Sequence, residues 1–372
     1  NDTATTEIYT NLNTLSLHDA LPIAVATGRA AEMGLLFRKG TALEALARAD
    51  TVVLDKTGTL TRGKPTLVRV LPFGLSQEEA LRLAAALERG SEHPLAKAVL
   101  EAAESLPQAQ AEEVRALPGE GVEGRVEGRR LHLGGPALME RLGVPLPEEA
   151  KALPEEGYTP LYLVEGTRLL AAFAVFDPPR PEAQEAVAAL KALGLKLVLL
   201  TGDHPAPARR VAEALGIPEV LAGVRPEGKV EAIRRLQAEG RKVVFVGDGI
   251  NDAAALAQAD VGLAMGSGTD IALEAGDVVL LTPDLRGVVN AVRLARRTLR
   301  TIYLNFFWAY AYNVVLIPVA AGALYPFTGL LLNPMLAAAA MSLSSLFVLT
   351  NSLRLRAFRP QALPSLNPAA SS

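Results

Sequence analysis

The sequence predicts an open α/β fold with a doubly wound parallel sheet, a smaller α+β domain inserted into it, and a transmembrane helical hairpin after it. Three observations carry this reading. Short, continuously apolar runs alternate with amphipathic stretches between positions 50 and 281. The first of those runs is separated from the next clear one by well over a hundred residues. Two long stretches near the C-terminal end, 302–324 and 329–353, hold no charged residue.

The runs are TVVLD (51–55), LKLVLLTGD (195–203), KVVFVGD (242–248), VGLAM (261–265) and DVVLL (277–281). Strands of a parallel sheet read this way when helices cover both faces. The stretches 181–193 and 229–238 have helical periodicity and supply such helices. The gap after the first strand holds a helical stretch, 76–103, and then the β-like segments VEGRVEGRRLHLGG, PLYLVEG and LLAAFAVF. Pro118-Gly119 and Gly157 punctuate them. An inserted domain explains a gap of this length better than a loop does, and Asp177-Pro-Pro-Arg-Pro is its return hinge.

Each uncharged stretch is long enough to cross a bilayer as a helix. The piece between them, 325–328, contains Pro326 and reads as a turn. Arg293, Arg296, Arg297 and Arg300 precede the first span, and Arg354, Arg356 and Arg359 follow the second. By the positive-inside rule both ends face the cytoplasm. The bland alternative is a buried helix pair in a soluble core. The expected divisions are 1–23, unassigned; 24–49, the end of a membrane helix and a linker; 50–66 and 177–290, the two parts of the α/β domain; 67–176, the insert; 301–353, the hairpin; and 354–372, a cytoplasmic tail.

The 372 residues exceed one typical domain. A net charge of -3, with no basic block mid-chain, does not suggest nucleic-acid binding. There are no cysteines, which excludes disulfides, thiolate metal sites and cysteine nucleophiles. The start of the chain does not read as a secretory signal.

Ligand sites in such sheets lie at the carboxyl ends of the strands. Four polar clusters fall there or beside them: Asp55-Lys-Thr-Gly-Thr, Thr201-Gly-Asp203, Lys229, and Gly247-Asp-Gly-Ile-Asn-Asp252. Aspartates ending two strands can share a divalent cation, and Mg²⁺ takes carboxylates together with phosphate oxygens. A hydroxyl and a lysine would balance the charge of a transferring phosphoryl group, with Asp55 as nucleophile. Any one of these aspartates alone could merely cap a helix.

Together, Asp55-Lys56-Thr57-Gly58-Thr59-Leu60-Thr61, Thr201-Gly202-Asp203 and the GDGIND run 247–252 resemble the signatures of the haloacid dehalogenase superfamily and, within it, of the P-type ATPases. The resemblance implies that Asp55 accepts the γ-phosphate of ATP. Mg²⁺ would be held by Asp55, the Thr57 carbonyl and Asp248. Thr201 and Lys229 would steady the phosphoryl oxygens, with Lys56, Gly202, Asp203, Asn251 and Asp252 supporting the site. Phosphatases of the superfamily resemble one another in a second Asp two residues after the nucleophile. Here that position is Thr57, so the phosphoenzyme is expected to persist and a soluble phosphatase is disfavoured.

The run Glu88-Arg-Gly-Ser-Glu-His-Pro-Leu95, with Gly119-Glu-Gly121 after it, resembles the nucleotide-binding domain of the heavy-metal-transporting subclass. The resemblance places the adenine at Glu88 and His93 and the close backbone approach at Gly119 and Gly121. The bland alternatives are a helix start at Ser91 and Pro94 and a hairpin turn at Gly-Glu-Gly. One departure is Gly134-Gly135, where the family often has Asn after the glycine. No Gly-x-x-x-x-Gly-Lys-Ser/Thr loop is present.

In the hairpin, Tyr312-Asn313 and Met341-Ser-Leu-Ser-Ser345 are the polar groups at membrane depth. A thioether suits Cu(I), although Ser and Asn also serve as glue between membrane helices. Tyr-Asn followed by Met-x-x-Ser-Ser resembles the copper(I)-exporting branch. That implies Tyr312, Asn313, Met341 and Ser345 on the ion path, a metallochaperone as ion donor, and a prokaryotic plasma membrane with the catalytic domains in the cytoplasm. A zinc- or cadmium-exporting ATPase is the runner-up, and an ATP-binding fragment without transport is the reading of a different class. The family also has an actuator domain with a Thr-Gly-Glu loop and a Cys-Pro-Cys helix, neither found here. Residues 1–23 read as a foreign segment, and this chain by itself is expected not to transport copper.

Overall fold

The computed structural model of the protein describes residues 18–91, 93–248, 252–266, 276–329 and 333–360. A helix over 18–32 (α1) leads to β1 (Leu35–Phe37), α2 (Gly40–Ala47) and β2 (Thr51–Asp55). Then come β3 (Thr66–Pro72), α3 (Gln77–Glu88), α4 (Pro94–Ala102), β4 (Ala111–Leu117), β5 (Gly121–Val126) and β6 (Arg129–Gly134). They are followed by α5 (Pro136–Leu142), α6 (Glu148–Glu155), β7 (Thr159–Glu165) and β8 (Arg168–Phe176). Next are α7 (Ala183–Ala192), β9 (Lys196–Leu200), α8 (Pro205–Leu215), β10 (Glu219–Leu221), α9 (Pro226–Ala238) and β11 (Val243–Gly247). The chain continues through α10 (Ala253–Gln258), β12 (Val261–Met265) and β13 (Val278–Leu280). It ends in α11 (Arg286–Ala320), α12 (Tyr325–Thr328) and α13 (Pro334–Leu353).

The strands make two sheets, one of seven in the order β1-β13-β12-β11-β2-β9-β10 and one of six in the order β3-β8-β7-β6-β5-β4. In the larger sheet β2, β9 and β10 are parallel, as are β12 and β13, while β1 lies antiparallel on β13 as an edge. The apolar runs of the sequence are these strands, and β2, β11, β12 and β13 are buried along their whole length. The smaller sheet is antiparallel throughout its described pairs.

By packing, the chain forms two compact units. One holds Thr51–Arg235 and Val246–Asp248; the other holds the described residues up to Asp50, Leu236–Phe245 and those after 251. In the first, α3 and α4 seal one face of the six-stranded sheet through Leu83, Leu87 and Val99 against Leu131, Leu133 and Phe173. On the other face Leu138 and Leu153 pack on Tyr162 and Val164. The Tyr162 hydroxyl donates to the Ala150 carbonyl at 3.0 Å, and burial raises its pKa to about 12.

The single helical stretch expected over 76–103 is two helices. Ser76 caps α3 by accepting from the Glu79 amide. Pro94 then enforces a break, because the residue before a proline is pushed out of the α region, and His93 is extended there. In the second unit, the expected turn at 325–328 is a one-turn helix stopped by left-handed Gly329. The uncharged span from 302 continues the basic stretch before it as one 35-residue helix, α11. Its first turns bury Val288, Val289 and Val292, and it packs on α2 and on α13. Beyond Asn305, Phe307, Tyr310, Val314 and Ile317 are each more than 60% exposed. Both α11 and the helix around α13 are long and apolar enough to cross a membrane, with only 11% and 17% of their apolar windows buried. A core helix pair of a soluble domain is mostly buried, and these two helices are not.

Candidate active site

The parallel pairing of β2 with β9 sets Asp55 opposite Leu200. The two strands therefore end level, which brings Asp55 beside Thr201 and Asp203 on the loop after β9. Asp55 is buried, and the Lys229 ammonium, from the start of α9, donates to its Oδ1 at 2.9 Å. Lys56 is buried too, and its ammonium pairs with the Asp203 carboxylate. Thr201 is 2% exposed. Its hydroxyl accepts from the Asp203 amide at 3.1 Å, and its amide donates to the Leu221 carbonyl at 3.0 Å. At Gly202 a Cβ would stand 3.3 Å from the Val224 carbonyl oxygen.

Residues 56–60 form one wide turn closed by the Thr61 amide on the Lys56 carbonyl at 3.0 Å. Inside it Thr57 is extended and exposed, while Gly58 has φ of +77°. A side chain at Gly58 would be strained by that φ and would also stand 3.2 Å from Asp248 Oδ2. The Asp248 carboxylate therefore lies against the same turn that carries Thr57. Two carboxylates and a main-chain carbonyl are hard oxygen donors, and no cluster of three His, Cys, Asp or Glu exists among the described residues. That donor set fits Mg²⁺, which takes one or two carboxylates and completes its shell with phosphate and water. Asp252 is 2% exposed at the head of α10; Asn251 lies outside the described residues.

Sequence reasoning missed what holds the turn in shape. The return strap 177–180 lies against it. Arg180 Nε donates to the Thr59 carbonyl at 2.9 Å and Nη2 to the Gly58 carbonyl at 3.0 Å, while the Arg180 amide donates to the Leu60 carbonyl at 2.8 Å. The Thr61 hydroxyl donates to Asp177 Oδ2 at 2.5 Å. Burial raises the Asp177 pKa, opposed by that hydrogen bond and by the nearby Lys56 charge. The one signal was the run Asp-Pro-Pro-Arg, which in the sequence reads only as a hinge.

Glu88 ends α3, and its burial raises the carboxyl pKa, partly offset by a hydrogen bond from Ser91. His93, not Ser91, caps α4: its Nδ1 accepts from the Leu95 amide at 3.2 Å. That leaves the proton of the neutral ring on Nε2. His93 is exposed at its surface, yet desolvation of the ring holds its pKa below 6.5. Gly119-Glu-Gly121 is the hairpin turn between β4 and β5. A Cβ at Gly121 would meet the Leu133 carbonyl oxygen at 2.1 Å, so the close approach there is to β6. At Gly135 nothing lies within 4 Å, so the missing Asn is not excluded by crowding.

The His93 geometry predicts a pH effect. A lowered folded pKa means fewer bound protons in the native state. The cap's contribution is therefore complete above about 6.5 and is lost as pH falls through the lower folded value. Amide-exchange protection of Leu95 is expected to drop about fivefold on acidification through that window, the size of a lost helix cap. His93→Asn, which keeps a cap acceptor that does not titrate, should flatten the profile; an unchanged slope in that variant would remove His93 as the cause.

In the hairpin, Tyr312 is half-buried, Asn313 and Ser345 are exposed, and Met341 is 69% exposed. Asn313 Nδ2 donates to the Ala309 carbonyl of its own helix at 3.1 Å.

The model of the haloacid dehalogenase-like hydrolase family matches residues 49–260, more than half of the chain. The chain belongs to this family. The match takes in both strand ends of the site and the insert between them. Within the family's wider reach, the chain is 51% identical over 344 residues to copper-transporting ATPase 1 of Rhizobium meliloti, covering 91% of this chain and 42% of that protein. It is 43% identical to the silver exporting P-type ATPase of Salmonella typhimurium, covering 93% of this chain and 43% of that protein. Among solved structures, a zinc-transporting PIB-type ATPase in the E2.Pi state superposes with a TM-score of 0.72 at 38% identity, covering 92% of this chain and 55% of that chain. The chain thus spans less than half the length of these curated relatives.

Proposed function

We propose that this chain is the catalytic portion of a heavy-metal P-type ATPase that exports copper(I) through an aspartyl phosphate on Asp55. The observation that carries the reading is the buried Lys229–Asp55 pair at 2.9 Å, beside a turn whose own lysine, Lys56, pairs with Asp203. An acid with a cation on one oxygen, flanked by a buried threonine hydroxyl, is arranged to receive a phosphoryl group and balance its charge.

In this mechanism the second oxygen of the Asp55 carboxylate attacks the γ-phosphorus of ATP. The bond to the β,γ-bridging oxygen breaks, and ADP leaves with its electron pair. Lys229 and Thr201 meet the transferred oxygens, and Lys56 and Asp203 hold the two strand-end loops together. Mg²⁺, held by Asp55, the Thr57 carbonyl and Asp248, would supply charge neutralisation on the phosphoryl oxygens. Glu88 and His93 would receive the adenine, with Gly119 and Gly121 shaping the adjoining turn.

For the ion, the support is Tyr312-Asn313 with Met341 and Ser345, together with the identity to copper and silver ATPases. Zinc is the second reading, favoured by the zinc-transporting structural neighbour. Delivery by a metallochaperone, a prokaryotic plasma membrane and cytoplasmic catalytic domains complete the proposal. The test is acid-quenched labelling of the membrane-extracted chain with Mg²⁺ and γ-labelled ATP. Hydroxylamine-labile label whose level responds to reduced copper and not to zinc(II) is expected. A response to zinc alone would overturn the ion assignment.

A further inference from the structure

Where α11 and α13 meet near the basic flanks, three polar side chains are shut away between helices that are otherwise widely exposed. Asn305 and Ser352 are 0% exposed and Asn351 is 9% exposed. Asn351 Nδ2 donates to Asn305 Oδ1 at 2.8 Å, Asn305 Nδ2 donates to Ser352 Oγ at 3.2 Å, and Ser352 Oγ donates to the Val348 carbonyl at 2.7 Å. Each group has a partner, so this is not a vacant ligand site. We propose that Asn305, Asn351 and Ser352 form a register-setting clasp, whose role is to fix the rotation of α11 against α13 and with it the direction in which each helix presents Tyr312, Met341 and Ser345.

The argument begins with what apolar packing cannot do. Between helices in lipid, leucine and phenylalanine gain nothing from leaving water, so such contacts select rotation weakly. Directional bonds between buried amides do select it, as a single buried Asn fixes register in a coiled coil. The spacing then extends the choice along the hairpin. Tyr312 lies seven residues beyond Asn305, and Ser345 and Met341 lie seven and eleven residues before Ser352. At 3.6 residues per turn these steps are close to whole turns. Tyr312 therefore follows Asn305 and is half-buried, while on α13 the half-buried residue level with it is Ser344, and Met341 and Ser345 stand exposed beside that line.

The two helices run in opposite directions, so both steps lead the same way, away from the clasp. An independent contact lies along that line. The Trp308 ring, one turn past Asn305, lies 5.5 Å from the Phe347 ring, about one turn before Asn351 and Ser352. The clasp thus fixes the phase of a seam that continues toward the polar residues. Its geometry stands by itself, but its purpose as a positioning device rests on the ion path proposed above.

The chain has no native cysteine, so introduced pairs can be read without background. One pair is Tyr312→Cys with Ser344→Cys, both half-buried and on the seam. The other is Tyr312→Cys with Leu346→Cys, exposed and rotated by about 200° on α13. In the reconstituted chain, a short bifunctional thiol reagent is expected to link the seam pair about tenfold faster than the rotated pair, the selectivity two interhelical hydrogen bonds can supply.

In an Asn305→Leu/Asn351→Leu background, which keeps volume and loses direction, that preference should fall to within about twofold. Ser352→Ala, a milder change that removes one acceptor, should lower it partway and serves if the double variant fails to fold. An unaltered preference in both backgrounds, or none with the clasp intact, would overturn the proposal. Label on Asp55 in the same preparations shows the catalytic unit folded. The copper response of the label in the chain without introduced cysteines reads the ion assignment separately, so either can fail without the other.

Discussion

Asp55→Asn is expected to carry no acid-stable label from γ-labelled ATP, a loss greater than about a thousandfold, because an amide oxygen does not serve as the nucleophile in phosphoryl transfer. The variant is chosen to separate chemistry from folding. Asparagine keeps the shape of the side chain and an oxygen that Lys229 can still meet. What it removes is the charge at one end of a buried pair. Taking away one partner of such a pair costs up to about 3–5 kcal/mol. Here the retained oxygen and the closeness of Asp248 to the same turn both reduce that cost, since one fewer carboxylate is crowded there. The thermal midpoint should therefore shift by no more than about 4 °C, equivalent to about 1 kcal/mol for a domain of this size. Nucleotide binding at the insert should persist. A folded Asp55→Asn protein that still labels would place the phosphate on another residue and sink the mechanism.

The parts of the fold that were legible are those in which chemistry is local to the chain. Strands buried on both faces have to be continuously apolar, so β2, β9, β11, β12 and β13 announce themselves. The turn after β2 is a contiguous run in which every position matters, and the structure brings Lys56, Asp203, Thr201, Lys229 and Asp55 to one place. What stayed hidden is what depends on distant pairing. Arg180 meets the carbonyls of Gly58 and Thr59 across 122 and 121 positions, and a lone arginine after two prolines gives no hint of it. The clasp in the hairpin is similar. Asn305 sits in an uncharged span where Tyr312-Asn313 drew the functional reading, and only its burial against Ser352 distinguishes it from ordinary helix glue. The split of α3 from α4 was signalled by Pro94 but masked by helical periodicity on both sides of it.

Thr57→Asp should shorten the life of the phosphoenzyme by about a hundredfold or more, the usual worth of a positioned general acid or base. Thr57 lies two residues after the nucleophile, in extended conformation, with its side chain exposed rather than packed. A carboxylate placed there reaches solvent, so burying a new charge costs little. It can instead take a proton from a water approaching the phosphorus of the aspartyl phosphate. The opposing effect is repulsion between the new carboxylate and the incoming phosphate. For exposed charges about 4 Å apart in water this is about 1 kcal/mol, or a slowing of label formation by about fivefold. Hydrolysis gains far more than formation loses, so the steady-state label should fall while phosphate release rises. A cold-ATP chase after labelling measures the decay directly. Thr57→Ala, which adds no base, is expected to decay at the parent rate. If Thr57→Asp also decays at that rate, the persistence of the phosphoenzyme comes from exclusion of water at Asp55 rather than from the residue that nature placed at position 57.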